Sequence, residues 1–134
     1  MPRVKVTDAA TEPWHRIGDI AQGDDIGELS QDDRDARILY HQPGSEERLQ
    51  LFEVCYGPNA TIALHCHDED EIIYVVDGEL IVGERHLTPG SSVFIAGGTY
   101  YGFRSGEAGL RFLNFRPRAD NSYHPRKAPA PPQP

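Results

Sequence analysis

From residue 36 onward the chain repeats one arrangement, a short apolar run followed by a turn. ARILY (36–40) leads into the turn-rich HQPGSEE (41–47). RLQLFEVCY (48–56) runs to Gly57-Pro58-Asn59, and TIALHCH (61–67) follows. EIIYVV (71–76) stops at Asp77-Gly78. Both residues of that dipeptide tolerate positive φ, so it predicts a tight hairpin with ELIVG (79–83) as the partner strand. Pro89-Gly90, Gly97-Gly98 and Ser105-Gly106 separate SSVFIA (91–96), TYYGF (99–103) and LRFLNF (110–115). Seven or eight short strands without a long helix predict an all-β, antiparallel sandwich or barrel over residues 37–118.

The two ends read differently. Residues 1–36 are polar and acidic, and GDIAQGDDIGELSQDDRD predicts an exposed loop. Val4–Val6 and Ile17–Ile20 are short apolar pieces fit for edge strands or docking segments. Residues 119–134, ending APAPPQP, predict an extended, mobile tail. The length of 134 residues suits one domain, and 38% hydrophobic residues suffice for a modest core.

A net charge of −8 shows no basic stripe, so nucleic acid is not an expected partner. No apolar run approaches the ~18 residues of a membrane span. The start, MPRVKVTDAATEPW, lacks the apolar stretch of a secretory leader. Two cysteines, Cys55 and Cys66, make no disulfide framework, so a cytoplasmic protein is expected.

The chemistry concentrates in HCHDEDE (65–71). On a regular strand His65 and His67 share a face with Thr61 and Ala63, while Ile62, Leu64 and Cys66 share the other. Glu71 opens the next strand and returns its carboxylate beside the imidazoles. Two histidines and one carboxylate form a facial triad that leaves coordination positions open, as a catalytic metal site needs. The alternative is a polar hairpin with ordinary surface histidines. Asp68, Glu69 and Asp70 read as a solvated turn in either case.

The longer pattern resembles the cupin superfamily. His65, His67, Glu71 and Gly78 fit its first motif without a gap, with Asn59 in place of the opening glycine. Gly90 and Gly98 fit the second motif, where Ala96, Tyr101 and Ser105 replace the usual Pro, His and Asn. The resemblance covers roughly residues 48–116. It implies a double-stranded β-helix (jelly-roll) barrel with the site inside, one bound transition metal (Fe, Mn, Ni or Zn), a small-molecule substrate, and a homodimer using N-terminal strands.

Tyr101 departs from that pattern, because the second motif's histidine usually completes the metal site. Three outcomes stay open. The metal sits on His65, His67 and Glu71, with Tyr101 as a ligand or a hydrogen-bonding neighbour. Direct ligation would need the ion to favour the phenolate. Otherwise the metal is lost, and His65, Glu71 and Tyr101 become acid–base residues of an isomerase or dehydratase. Or the barrel only binds a ligand, as a sensor would. The first reading makes the chain an enzyme using Lewis-acid or dioxygen activation.

Other residues are weaker candidates. His86 precedes the turn into the second motif and reads as a loop-edge residue. His15, His41 and His124 read as surface or interface residues. Cys55 and Cys66 read as core packing, with Cys66 facing away from the triad. Ile73 and Val75 extend the Glu71 face, Tyr74 packs on the opposite one, and Phe103 shares a face with Tyr101. Of Gln50 and Glu53, at most one points inward. Arg111, Asn114 and Arg116 lie on the last strand, where an inward arginine could clamp a carboxylate or phosphate.

Overall fold

The structure, a computed structural model, describes residues 3–21 and 29–126. The proline-rich APAPPQP and part of the acidic N-terminal loop lie outside the described residues. The elements are β1 (His15–Arg16), α1 (Ile17–Ile20), α2 (Gln31–Asp35), β2 (Arg37–Gln42), β3 (Gln50–Tyr56), β4 (Thr61–Cys66), β5 (Glu71–Val82), β6 (Arg85–Leu87), β7 (Ser92–Ile95), β8 (Tyr101–Arg116) and β9 (His124–Pro125). The described strands form one antiparallel, curled sheet, the all-β jelly-roll barrel that the sequence predicts. At its centre β8 pairs with β5 along one edge and with β3 and β4 along the other.

Register places the interior side chains in rows. Phe52 and Ile73 both pair with Asn114, and Val54 and Val75 both pair with Phe112. One step further out, Gln50 pairs with Arg116, and Glu71 lies next to the Ile72–Phe115 pair on the other side of β8. Period-two alternation therefore aims Gln50, Arg116 and Glu71 into one end of the barrel and apolar residues into its middle. Leu39, Ile73, Leu80 and Val75 are the largest fully buried side chains. Each contributes roughly 1.5–3 kcal/mol by leaving water.

Two expected hairpins are continuous strands instead. β5 runs through Asp77-Gly78 with register shifts on either side, and the reversal comes at Gly83-Glu84, between Val82 and Arg85. β8 likewise runs through Ser105-Gly106. Positive φ at Gly78 (+73°) makes a bulge that bends the strand around the barrel. A Cβ there would stand 2.1 Å from the Gly109 carbonyl oxygen, so the missing side chain also lets β5 and β8 close up. The bend keeps Leu80 and Ile81 buried, which a reversal at residue 78 would not. Asn59 does adopt positive φ (54°), as its place in the motif requires.

The ends of the chain are more structured than expected. Ile17–Ile20 is a short helix rather than a strand, while Val4 and Val6 are exposed. Part of the predicted acidic loop is α2, capped by Ser30, whose hydroxyl accepts the Asp33 N–H. The Asp32 carboxylate accepts the Thr61 N–H at 2.9 Å, tying α2 to the β3–β4 end of the barrel. At the opposite end, residues 119–126 do not trail away. Ala119 bonds Ser45, Arg126 bonds Leu64, and β9 pairs with β4.

Candidate active site

The first departure from simple alternation brings the histidine inward. Ile62 pairs with Phe103, but His65 pairs with Tyr101, so β4 carries one extra residue between them. The bulge puts Ile62, not Thr61 or Ala63, on the interior face with His65. It also explains why Leu64 is 45% exposed. Cross-strand pairing then sets the His65 and Tyr101 rings 4.5 Å apart. His65 and His67 lie at 4.9 Å.

Both histidines are held by backbone carbonyls. His65 Nδ1 lies 2.8 Å from the Ala63 oxygen and His67 Nδ1 2.5 Å from that of Ser122. A carbonyl only accepts, so each Nδ1 carries the proton and each Nε2 keeps a free lone pair. Burial lowers the His65 pKa, against the pull of the Ala63 bond and of the Asp33 and Glu71 charges. Burial and the Arg116 charge push His67 down to about 4. Near pH 7 both rings are neutral, so the 3.9 Å approach of His67 Nε2 to Glu71 is not an ion pair.

Glu71 is buried and fully engaged. Its Oε1 accepts the Tyr101 hydroxyl at 2.6 Å and the Asn114 amide at 3.2 Å, while Oε2 faces an Arg116 nitrogen at 3.5 Å. Arg116 also donates to Asn114 Oδ1 and to the Asp120 carbonyl, and lies over the Phe52 ring. Burial first, then the Glu71 carboxylate, drives the Tyr101 pKa far above its ordinary value, so the phenol is a donor and not a phenolate.

This donor set does not fit the expected ion as it stands. Tyr101 hydrogen-bonds Glu71 instead of presenting a bare oxygen, and the Arg116 guanidinium occupies the electrostatic place a cation would take. Among the described residues, no group of three His, Cys, Asp or Glu side chains gathers closely enough to hold a metal.

A cavity of about 140 Å³ opens between these groups. Its walls include Phe52, Ile62, Phe103 and Phe112, while Ile73 and Val75 pack into the core beyond it. Arg116 and Asn114 face it, and Gln50 is the inward one of its pair. Arg111 and Glu53 instead bond each other outside at 3.2 Å, with His41 3.0 Å from Glu53. His86 pairs with Glu79 on the surface, as His124 does with Asp68. His15 and Tyr74 are exposed, and Cys66 is buried away from the site. Ser105 bonds Ala60 and Gly57, a structural role.

Four contributors, Asp33, Asp120, Ser122 and Tyr123, come from the two ends of the chain outside the predicted barrel. Tyr123 stacks on His65 at 4.9 Å, and Ser122 and Asp120 hold His67 and Arg116. Asp33 and Tyr56 line the same cavity. The Ser30-x-x-Asp33 spacing was a legible helix-cap signal for Asp33.

Residues 52–115 match the family model described as a cupin domain. The match spans just under half of the chain, and the barrel has the cupin jelly-roll fold. No curated protein matches the chain. Solved structures similar to this chain include the polyketide cyclase RemF from Streptomyces resistomycificus, at 20% identity and TM-score 0.69, covering 95% of this chain and 88% of that one. KdgF from a Halomonas species is 25% identical with TM-score 0.53, over 62% of this chain and 79% of its own. Oxalate decarboxylase from Bacillus subtilis, described with Mn(II) centres, is 19% identical with TM-score 0.56, over 67% of this chain but 28% of its own. The cupin fold is thus shared with enzymes. Among the described residues no helix is long and apolar enough to cross a membrane.

Proposed function

We propose that this cupin is a metal-independent enzyme that moves protons on a small organic molecule, in the manner of an isomerase, dehydratase or cyclase. The observation that carries the reading is the engagement of Glu71 by Tyr101, Asn114 and Arg116. The carboxylate serves a hydrogen-bond network, and two neutral imidazoles stand beside it with bare Nε2 atoms. In this reading His65 Nε2 takes a proton from a carbon next to a carbonyl. The C–H electron pair moves into the carbonyl, and the resulting enolate oxygen accepts a hydrogen bond from the Asn114 amide hydrogen that Glu71 does not use, with Arg116 supplying positive charge. The imidazolium returns the proton at the same or a conjugated position. The RemF likeness supports a fold able to host ring-forming chemistry, and no more than that.

The test uses a carbon acid small enough for the cavity. Cyclohexanone in D2O should exchange its α-hydrogens faster with EDTA-treated protein than in buffer, by NMR. His65→Ala should remove roughly 100-fold or more of that enhancement, the usual share of one general base. No exchange above buffer, or exchange unaffected by His65→Ala, overturns the reading.

One observation favours the metal-dependent alternative. Nδ1 bonds to backbone carbonyls orient both histidines as metal-ligating histidines are oriented. About one transition metal per chain in untagged protein purified without chelator would support it. The small-molecule sensor remains the non-enzymatic alternative, with ligand binding and no turnover. We also expect a homodimer covering the outer apolar residues Ile72, Tyr74, Phe94 and Phe115, which sedimentation tests directly.

A further inference from the structure

The cavity has a second polar end that the proposed chemistry does not use. Asp33 is 5% exposed, and its carboxylate accepts the Tyr56 hydroxyl at 2.9 Å and the Ser30 hydroxyl at 3.1 Å. Both Asp33 and Tyr56 line the cavity with His65. Strand register shows that this is the far end. Arg116 pairs with Gln50 at the start of β3, whereas Tyr56 closes β3 opposite Leu110. Six residues of strand separate the two positions, roughly 20 Å between backbones before the long side chains turn inward. Phe103 packs between the two phenols, with its ring 6.1 Å from Tyr56 and 6.2 Å from Tyr101.

Docking α2 does not exhaust the role of this aspartate. The helix is already capped by Ser30 and tied to β4 by Asp32. A buried carboxylate costs several kcal/mol of lost hydration unless it is compensated, and among the described residues no cation pairs with Asp33. Each of its oxygens receives one hydroxyl and retains a lone pair.

We infer that Asp33 and Tyr56 form a recognition pole for substrate, and that the ligand is a small, flat, uncharged ring with a hydroxyl at one end and a hydroxyl or keto oxygen at the other. The inference rests on the proposed acid–base reading for which end reacts, and deepens it by naming the ligand class. Size argues for one ring, because a cavity of about 150 Å³ takes benzene and this one measures about 140 Å³. Aromatic walls argue for flatness. Charge argues for neutrality. Arg116 is the one guanidinium on the described lining, it already faces Glu71 and Asp120, and an anion entering would meet Asp33 as well.

Calorimetric titration of the full-length protein with hydroquinone, phenol and 4-hydroxybenzoate tests this. Hydroquinone should bind about tenfold tighter than either of the others, the worth of one hydrogen bond to a carboxylate. In Asp33→Asn, which keeps an acceptor for Tyr56, hydroquinone should lose about tenfold in affinity. Equal binding of hydroquinone and phenol to the native protein, or unchanged hydroquinone affinity in Asp33→Asn, overturns the inference. A hydroquinone-soaked crystal of the native protein serves if the variant does not fold. A ligand oxygen within hydrogen-bond distance of the Asp33 carboxylate supports the pole, and density elsewhere or none removes it. Binding needs no turnover, so hydroquinone bound by a protein that does not exchange cyclohexanone would sink the enzymatic reading alone. Exchange without selective hydroquinone binding would sink this one alone.

Discussion

Two phenol–carboxylate pairs flank one cavity, lined by Tyr101 of the first and by both Tyr56 and Asp33 of the second, and they are built differently. Tyr101–Glu71 is made of barrel strands, with Tyr101 opening β8 opposite His65 and Glu71 opening β5 opposite Ile95. Tyr56–Asp33 joins the barrel to a five-residue helix outside it. Glu71 receives two neutral donors and a guanidinium, whereas Asp33 receives two hydroxyls and no cation among the described residues. The strand-built pair is the preorganised one, suited to chemistry that tolerates little displacement. The helix-borne pair can change with a few residues of α2, which suits the selection of a ligand.

The comparison breaks most severely at Arg116. Arg116→Met removes the charge facing Glu71 and Asp120, all nearly buried. Leaving buried carboxylates uncompensated should cost about 3–5 kcal/mol in urea denaturation. Combining it with Glu71→Gln should recover part of the loss. A cost under 1 kcal/mol would mean that the network is open to water and that the two ends are not electrostatically distinct.

The strand-built end was largely legible in the sequence, and the helix-borne end was not. The spacing of His65, His67 and Glu71 marks one strand end and the next strand start, which the barrel does bring together. Arg116 was harder, because alternation counted through β8 depends on whether Ser105-Gly106 ends a strand. Ser105-Gly106 has the composition of a turn, but β8 continues through it and aims Arg116 inward. The misplaced hairpin at Asp77-Gly78 has the same cause. A glycine with positive φ serves a reversal or a bulge equally well, and only the burial of Leu80 and Ile81 selects the bulge. The face of His65 depends on one extra residue in β4, which no periodicity reveals. Asp33, Asp120 and Tyr123 lie in polar segments whose value comes only from tertiary docking.

Acid should strike the strand-built end next. His67 has its pKa lowered to about 4 from 6.5, so folding favours the neutral ring. The unfolded chain therefore binds the proton more readily. The stability contributed by neutral His67 is complete above pH 6.5 and declines as pH falls to about 4. The loss should reach about 3 kcal/mol. Urea midpoints from pH 7 to 4 should fall less steeply in His67→Asn than in the native protein. Parallel curves would mean that water or a bound cation shields the ring.

The finest test removes one hydroxyl from each pair. Tyr101→Phe leaves Glu71 with Asn114 and Arg116, so the carboxylate stays compensated, and the cost should be about 1 kcal/mol, that of one net hydrogen bond. Tyr56→Phe leaves Asp33 with Ser30 as its remaining side-chain donor, and the cost should rise to about 2 kcal/mol because a buried carboxylate loses half its partners. Function should rank them the other way. Tyr101→Phe removes the hydroxyl that holds the Glu71 carboxylate beside the reacting end and should slow cyclohexanone exchange by roughly 10-fold or more, with Tyr56→Phe within about twofold of the native rate. Urea denaturation and deuterium exchange on the same two proteins decide the matter. If the larger stability cost and the larger rate cost fall on one phenol, the division between a reacting end and a recognising end is wrong.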